Sequence, residues 1–356
     1  MIIRLVKETF YRLIYHSGLW IIFRKLNRHK IGILMYHGIA ENDEHLWTQV
    51  HLQNFREQIG YVGDKFNVIT LDEAVRRLKS GILPPDYPLV ITFDDGFKSN
   101  ETLAYEILKA RRMPATIFLT TSFVNGNSRY NGLIRTDYII GLFRNTGATR
   151  LDLSDQGLGI HVFKSLQERM QSAYRVSGAI KRMNHREVNR IIDIIGERLG
   201  KEISQSDMHI FRGMDWNDVR NLHSDGLITF GAHTVNHDIL SMLPKEMMEE
   251  EIRRSRVEIE SQLGRPPDFF AYPNGTELDF NQVVKETAAK YYDCALTTVQ
   301  GLNAPGVDLF ALKRIAIGND TKLWKLKLEL SGTIDFIRSI KVRIFGRNVN
   351  ADSYGQ

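Results

Sequence analysis

The chain has 356 residues, 43% of them hydrophobic and 25% charged, with a formal net charge of +5 from 47 Lys and Arg against 42 Asp and Glu. That composition supports a real core and excludes disorder over most of the length, and so mild a charge gives no footprint for nucleic acid. The single cysteine, Cys294, excludes an intramolecular disulfide and any cysteine-based metal cluster.

At the N-terminus, Arg4, Lys7, Arg12, Arg24, Lys25, Arg28 and Lys30 stand against one acid, Glu8. Ile3, Val6, Phe10, Leu13 and Ile14 fall at helical spacing, and residues 19–23 continue the apolar pattern. Residues 1–30 therefore read as a basic amphipathic helix, packed on the protein's own core or docked on an anionic membrane surface. Arg12, His16 and Ser17 break the apolar run and no small-x-small site follows. Neither a clear signal peptide nor a transmembrane span is expected, and the favoured location is a bacterial-type cytoplasm or membrane periphery.

Short β-type runs then alternate with helical patterns, which predicts a parallel α/β architecture. Seven strands are expected, at 32–36, 89–93, 116–120, 227–230, 269–272, 294–297 and 312–317. Several are continuous apolar runs, as for strands buried on both faces. Helices are expected at 71–79 behind a Thr70 cap, at 99–110, at 245–263 before Gly264, and at 280–290. About a hundred residues, 125–213, separate the third and fourth strands, where a simple crossover needs a few tens. They contain helical pieces such as 188–199 and read as an insertion over one end of the sheet. Residues 31–320 would form the main domain. Residues 321–356 read as a basic C-terminal extension, in which Arg338, Lys341, Arg343 and Arg347 sit among Phe336, Ile337, Ile340, Val342, Ile344 and Phe345.

Two segments carry chemistry. The second strand ends in Thr92-Phe93-Asp94-Asp95-Gly96. Adjacent residues at a strand end point in different directions, so the two carboxylates can divide labour. Alone, the segment also reads as a turn with a helix cap, since Asp-Gly is common in turns. The fourth strand runs into His233-Thr234-Val235-Asn236-His237. Two histidines four apart can share one side of a helical turn, but they lack the adjacent Glu of a zinc-protease helix. Together, Asp95, His233 and His237 would form a three-ligand site with open positions, and Asp94 a free carboxylate able to act as general base.

These two segments, followed by Ala271-Tyr272-Pro273-Asn274-Gly275, resemble the first three motifs of the polysaccharide deacetylase family. These are the nodulation-type enzymes of carbohydrate esterase family four, and the Tyr36-His37 pair resembles the start of its exopolysaccharide branch. The similarity runs from about Gly32 to Gly318. It implies a distorted (β/α) barrel of about seven parallel strands with a helical insertion. It also implies a divalent metal, usually zinc, and hydrolysis of N-acetyl or sometimes O-acetyl groups on sugars. Carried over by position, Asp94 matches the catalytic base and Asp95, His233 and His237 the metal ligands. Tyr272, Pro273 and Asn274 match the oxyanion and substrate segment, whose backbone donor here belongs to Asn274.

Two positions depart from the family pattern. Ala271 stands where an Arg normally orients the base, and Leu312-Lys313-Arg314 stands where Leu-x-His normally supplies the acid. Arg314 is expected to replace the lost Arg beside Asp94. Leu34-Met35-Tyr36-His37-Gly38 ends the first strand, so His37 is expected at the same end of the sheet as Asp94. It is read as the acid that protonates the leaving amine, or otherwise as a histidine bonded in a turn. Asp215 reads as a helix cap and Trp216 as packing. Trp47 and Trp324 are available as sugar platforms, although nothing singles them out.

The reading is a metal-dependent deacetylase acting on an acetylated glycan or a lipid-linked sugar, with peripheral membrane contact through residues 1–30 and 336–347. The alternatives are an O-acetyl esterase or cyclic-amide hydrolase on the same site, a non-catalytic carbohydrate-binding homologue, and a membrane-anchored scaffold.

Overall fold

Seven parallel strands, most of them buried along their whole length, close into a barrel: β1 (Gly32–Tyr36), β2 (Pro88–Phe93), β3 (Ala115–Leu119), β4 (Ile228–Ala232), β5 (Phe269–Ala271), β6 (Cys294–Gln300) and β7 (Leu312–Ala316). Neighbours in sequence are neighbours around the ring, and β1 completes it by pairing with both β2 and β7. The computed structural model describes residues 2–41, 49–82, 84–124, 132–181, 183, 185–201 and 212–345. Trp47 and Arg347 lie outside the described residues, as do 125–131 and 202–211 at the two ends of the insertion.

Side chains along a strand alternate between two faces, and the barrel sorts them accordingly. Ile33, Val90, Phe118, Phe269, Leu296 and Leu312 form one cluster, which the helix Leu71–Ser80 closes through Leu71, Ala74, Val75 and Leu78. The alternate positions, among them Leu34, Ile91, Ile117, Phe270 and Ile315, join a second cluster with the surrounding helices. Burial of both faces explains the uninterrupted apolar runs in the sequence. Because the strands are parallel, every loop that follows a strand emerges at the same end of the barrel. Tyr36 is in register with Phe93, so His37 and Asp94 leave adjacent strands at one level. The Asp94 amide donates to the Tyr36 carbonyl at 2.9 Å.

The insertion has its own core. The helices Gly132–Asn145, Leu166–Ile180 and His185–Leu199 pack around Phe143, Val176, Ile192 and Ile195. The structure adds an antiparallel hairpin, Arg150–Leu153 with Gly159–Val162, to the helices expected from sequence. Phe97 and Phe123, from the loops after β2 and β3, enter the same cluster and seat the insertion over the barrel mouth.

Several local expectations shift. The region 99–110 is a π-helical turn, Asn100–Ala104, followed by the α-helix Tyr105–Ala110. The N-terminal helix is two helices, Ile2–His16 and Leu19–Leu26, broken at Gly18 with φ 76°. One side of this pair packs on the C-terminal helices Leu323–Leu330 and Thr333–Phe345, with Tyr11, Leu328 and Ile334 buried between them. Trp324 packs here against Tyr15, under the Arg12 guanidinium, and not as a sugar platform. Leu326 and Leu330 belong to the outer core of the barrel, so the helix Leu323–Leu330 is part of its wall. Among the described residues, no helix is long and apolar enough to cross a membrane.

Candidate active site

Four loops bring the expected groups together. After β2 the chain turns sharply: Asp95 has φ 74° and Gly96 φ 84°. A Cβ on Gly96 would meet Leu119 at 2.8 Å, so the turn takes glycine for space as well as for conformation. The turn separates the two carboxylates, and each finds a different partner.

Asp94 meets Arg314, which comes from β7. Arg314 Nη1 and Nη2 each donate to one Asp94 carboxylate oxygen at 2.7 Å, and Nε donates to the Thr297 carbonyl at 2.8 Å. Both residues are buried. A planar fork matched to a carboxylate is the strong, orientation-fixing form of this interaction. Burial alone would raise the Asp94 pKa. The Arg314 charge and hydrogen bonds, with His233 and His37, more than reverse this and hold it near about 2. Ala271, where the motif lacks its Arg, is buried in the cluster inside the barrel.

Asp95 faces two imidazoles. Its Oδ1 lies 3.8 Å from His233 Nε2 and 3.6 Å from His237 Nε2, too far for hydrogen bonds. A tetrahedral ion with ligands at about 2.0–2.2 Å would hold neighbouring ligand atoms about 3.3–3.6 Å apart. One ligand atom from each residue lies within 4.8 Å of the others, and all three residues are buried. His233 Nδ1 sits 2.7 Å from the Ala271 carbonyl, which can only accept. That bond puts the ring proton on Nδ1 and leaves the Nε2 lone pair toward Asp95. Burial lowers the pKa of both histidines, keeping the neutral, ligating form at neutral pH. The donor set, two neutral imidazoles and a carboxylate, fits a divalent metal.

The histidine loop is strained and well held. Thr234 (φ 65°) and His237 (φ 58°) occupy the left-handed region. Each such residue costs on the order of 1–3 kcal/mol and persists only where the surroundings fix it. The His237 amide donates to Thr234 Oγ1 at 3.0 Å. Glu251 accepts from the amides of Val235 and Asn236, at 3.0 and 2.8 Å, and from the Asn236 side chain at 2.6 Å. Behind the loop a cavity of about 560 Å³ opens, lined in part by Ser122, His185, Asn236 and Glu251. None of Asp94, Asp95, His233 and His237 lines it.

His37 is half-buried beside this group. Asn100 donates to its carbonyl at 2.6 Å, a contact set up by the π turn. Burial lowers the His37 pKa; Asp94 opposes this, Arg314 adds to it, and the result is about 4. The segment after β5 forms a tight turn in which Asn274 has φ 58° and Thr298 donates to the carbonyls of Asn274 and Gly275. A Cβ on Gly275 would lie 2.9 Å from the Thr298 nitrogen and the Tyr272 oxygen, both backbone atoms, so only glycine fits. Tyr272 differs from expectation. Its ring stacks on Phe280 and its hydroxyl donates to the Phe310 carbonyl at 3.1 Å. It shares the face of Phe270, which packs outward against the helical layer, so its side chain is buried packing and does not line the substrate segment.

Residues 84–292 match the family Polysaccharide deacetylase. The chain belongs to that family. The YxkH protein of Bacillus subtilis (strain 168) is 34% identical over 91 residues, a match spanning 25% of this chain and 32% of YxkH. Solved structures share the fold at low identity. The Streptococcus pyogenes deacetylase PplD, in complex with acetate, has a TM-score of 0.57 at 19% identity, over 85% of this chain and 99% of PplD. A de-N-acetylase from Aggregatibacter actinomycetemcomitans has a TM-score of 0.54 at 16% identity, over 84% and 99% of the two chains.

The arginine beside Asp94 comes from β7, an origin that the sequence exposed through Ala271 and Arg314. Sequence reasoning missed Asn100, Asp238 and Glu251. Glu251 had a signal: it falls on the helix face of Met248, Ile252, Ser255 and Ile259, where a carboxylate needs a buried partner.

Removing one partner of a buried ion pair leaves an uncompensated charge, at about 3–5 kcal/mol. Arg314→Ala should lose that much stability in urea unfolding, and Arg314→Lys less. Asp94 has a depressed pKa, so its contribution is full above the ordinary carboxylate range and is lost as pH falls through about 2. The wild-type protein should show this loss between about pH 4 and 2. A variant at Arg314 with unchanged stability and acid sensitivity would contradict the assignment.

Proposed function

We propose that this polysaccharide deacetylase homologue removes N-acetyl groups from amino sugars of a surface polysaccharide or exopolysaccharide, or of its lipid-linked precursor. The observation that carries the reading is the pairing of a buried Asp95–His233–His237 cluster with an adjacent carboxylate, Asp94, clamped by Arg314.

A divalent ion held by Asp95, His233 and His237, zinc by the nature of the donors, would supply a Lewis acid that polarises the acetyl carbonyl and acidifies water. Asp94 is the base. Arg314 keeps it ionised and fixes its plane, so it takes the proton of the attacking water from a set direction. The Asn274 amide, aimed by the turn that Gly275 permits, donates to the oxyanion. His37 protonates the leaving nitrogen. Since its pKa is about 4, it is neutral in the resting enzyme, and the proton it delivers is the one that Asp94 takes from the water, so that Asp94 and His37 both end the cycle as they began it. Water is consumed, and acetate and a free amine leave.

The lipid-linked option draws on the termini. Phe336, beside Phe23, is exposed on the C-terminal helix, and Val6, Phe10, Leu13, Ile22 and Leu26 are exposed on the helix pair. Lys25, Arg28 and Lys30 stand exposed on the same segment. Apolar side chains ringed by cations suit an anionic lipid surface.

Acetate release over a panel of N- and O-acetylated glycans and lipid-linked sugars should favour an N-acetylhexosamine substrate. Asp94→Asn should lower turnover by at least about 100-fold, the usual scale of a general base. Activity equal to the wild type on every substrate would remove Asp94 from the chemistry. His37→Ala should cut turnover by a similar factor with the bound metal retained, and loss of metal would make His37 a ligand instead. In vesicle flotation with anionic lipid, the full chain should float and a chain lacking residues 1–30 should stay below; equal recovery in the soluble fraction would rule out the membrane contact.

A further inference from the structure

Asp238 follows the second histidine directly, and its carboxylate is buried. Its partners come from the insertion. His185 Nδ1, at the start of the helix His185–Leu199, lies 2.6 Å from Asp238 Oδ2. Arg135, on the helix Gly132–Asn145 and itself buried, brings Nη1 to 3.7 Å from Oδ1. The insertion folds around its own apolar core, so the placement of these two side chains is set by that core and not by the barrel. The far side of the same loop is set by the barrel's surround, where Glu251 grips the amides of Val235 and Asn236. Between the two grips lies His237, and Thr234 stands just before them, both in left-handed conformations that the loop would not keep unaided.

We propose that Asp238 is a positioning residue through which the insertion's His185 and Arg135 hold the histidine loop in the conformation that turns His237 toward Asp95. The insertion then does more than shape a cleft. It sets the affinity of the cluster for its metal, and release of the insertion from Asp238 loosens His237. The inference rests on reading Asp95, His233 and His237 as a metal site.

The test is Zn²⁺ affinity of the full chain, measured by competition with a chromogenic chelator. His185 is half-buried and opens its helix, so its truncation leaves the fold standing, which a thermal unfolding curve verifies. Groups that orient metal ligands typically change affinity by about 10–100-fold when removed. His185→Ala and Asp238→Asn should each weaken Zn²⁺ binding by about 10-fold or more. His185→Asn, whose amide nitrogen takes the place of Nδ1, should recover most of the loss. The double variant should be no weaker than Asp238→Asn alone, since both changes break one link. Wild-type affinity in His185→Ala, no recovery in His185→Asn, or additive losses in the double variant would each overturn the proposal. A wild-type chain that binds no Zn²⁺ would overturn the metal reading with it, whereas wild-type binding with unaffected variants would overturn the role of Asp238 alone.

Discussion

The candidate site depends on one buried ion pair, Arg314 with Asp94. The two residues come from β7 and from the end of β2, and β1 lies between those strands in the ring. The pair therefore spans the seam where the first and last strands of the barrel meet. Burying either group alone would be costly, and the cost is offset only because the geometry is near ideal: two parallel bonds to the carboxylate and a third to the Thr297 carbonyl. The same bonds fix the plane of Asp94, so closure of the barrel and orientation of the carboxylate are one event.

A rigid frame is what allows the loops to be irregular. Among the described residues, the non-glycine positions with left-handed φ are Tyr87, Asp95, Arg112, Thr234, His237 and Asn274. Four of these six lie in the three loops that carry the candidate chemistry, and each is pinned by the strands or by a buried side chain. Strain concentrates where groups from different strands must converge, and packing elsewhere sustains it. Gly275 shows the limit, since its turn brings two backbone segments so close that no side chain fits between them.

The barrel was legible in the sequence because strands buried on both faces write continuous apolar runs, and all seven appear within a few residues of their expected places. Ligand candidates were legible because Asp-Asp-Gly and His-x-x-x-His are rare at strand ends. What periodicity could not reveal is contact between elements. Asp238 looks like an ordinary loop acid until His185 and Arg135 arrive from the insertion, 53 residues or more away in the chain. Tyr272 looks like a site residue because of the motif around it. Its strand parity, read strictly, already points it toward the helical layer. The break at Gly18 was hidden for another reason: a left-handed glycine interrupts a helix without interrupting the apolar pattern.

The two adjacent aspartates gain their meaning from this arrangement. A strand end offers two successive side chains, and the left-handed turn at Asp95 directs them apart. Arg314 neutralises Asp94 within the protein, so that carboxylate is held, oriented and kept from competing for a cation. Asp95 stands instead against two imidazoles that burial keeps neutral, and no guanidinium clamps it as Arg314 clamps Asp94 in the contacts described above. If both carboxylates shared one environment, they would bind a cation together or share a proton, and neither would serve as a directed base. The guanidinium separates the two roles, and it can do so from any strand whose end reaches Asp94. On the proposed reading, an arginine on β7 stands in for the one that the family pattern places at Ala271 on β5.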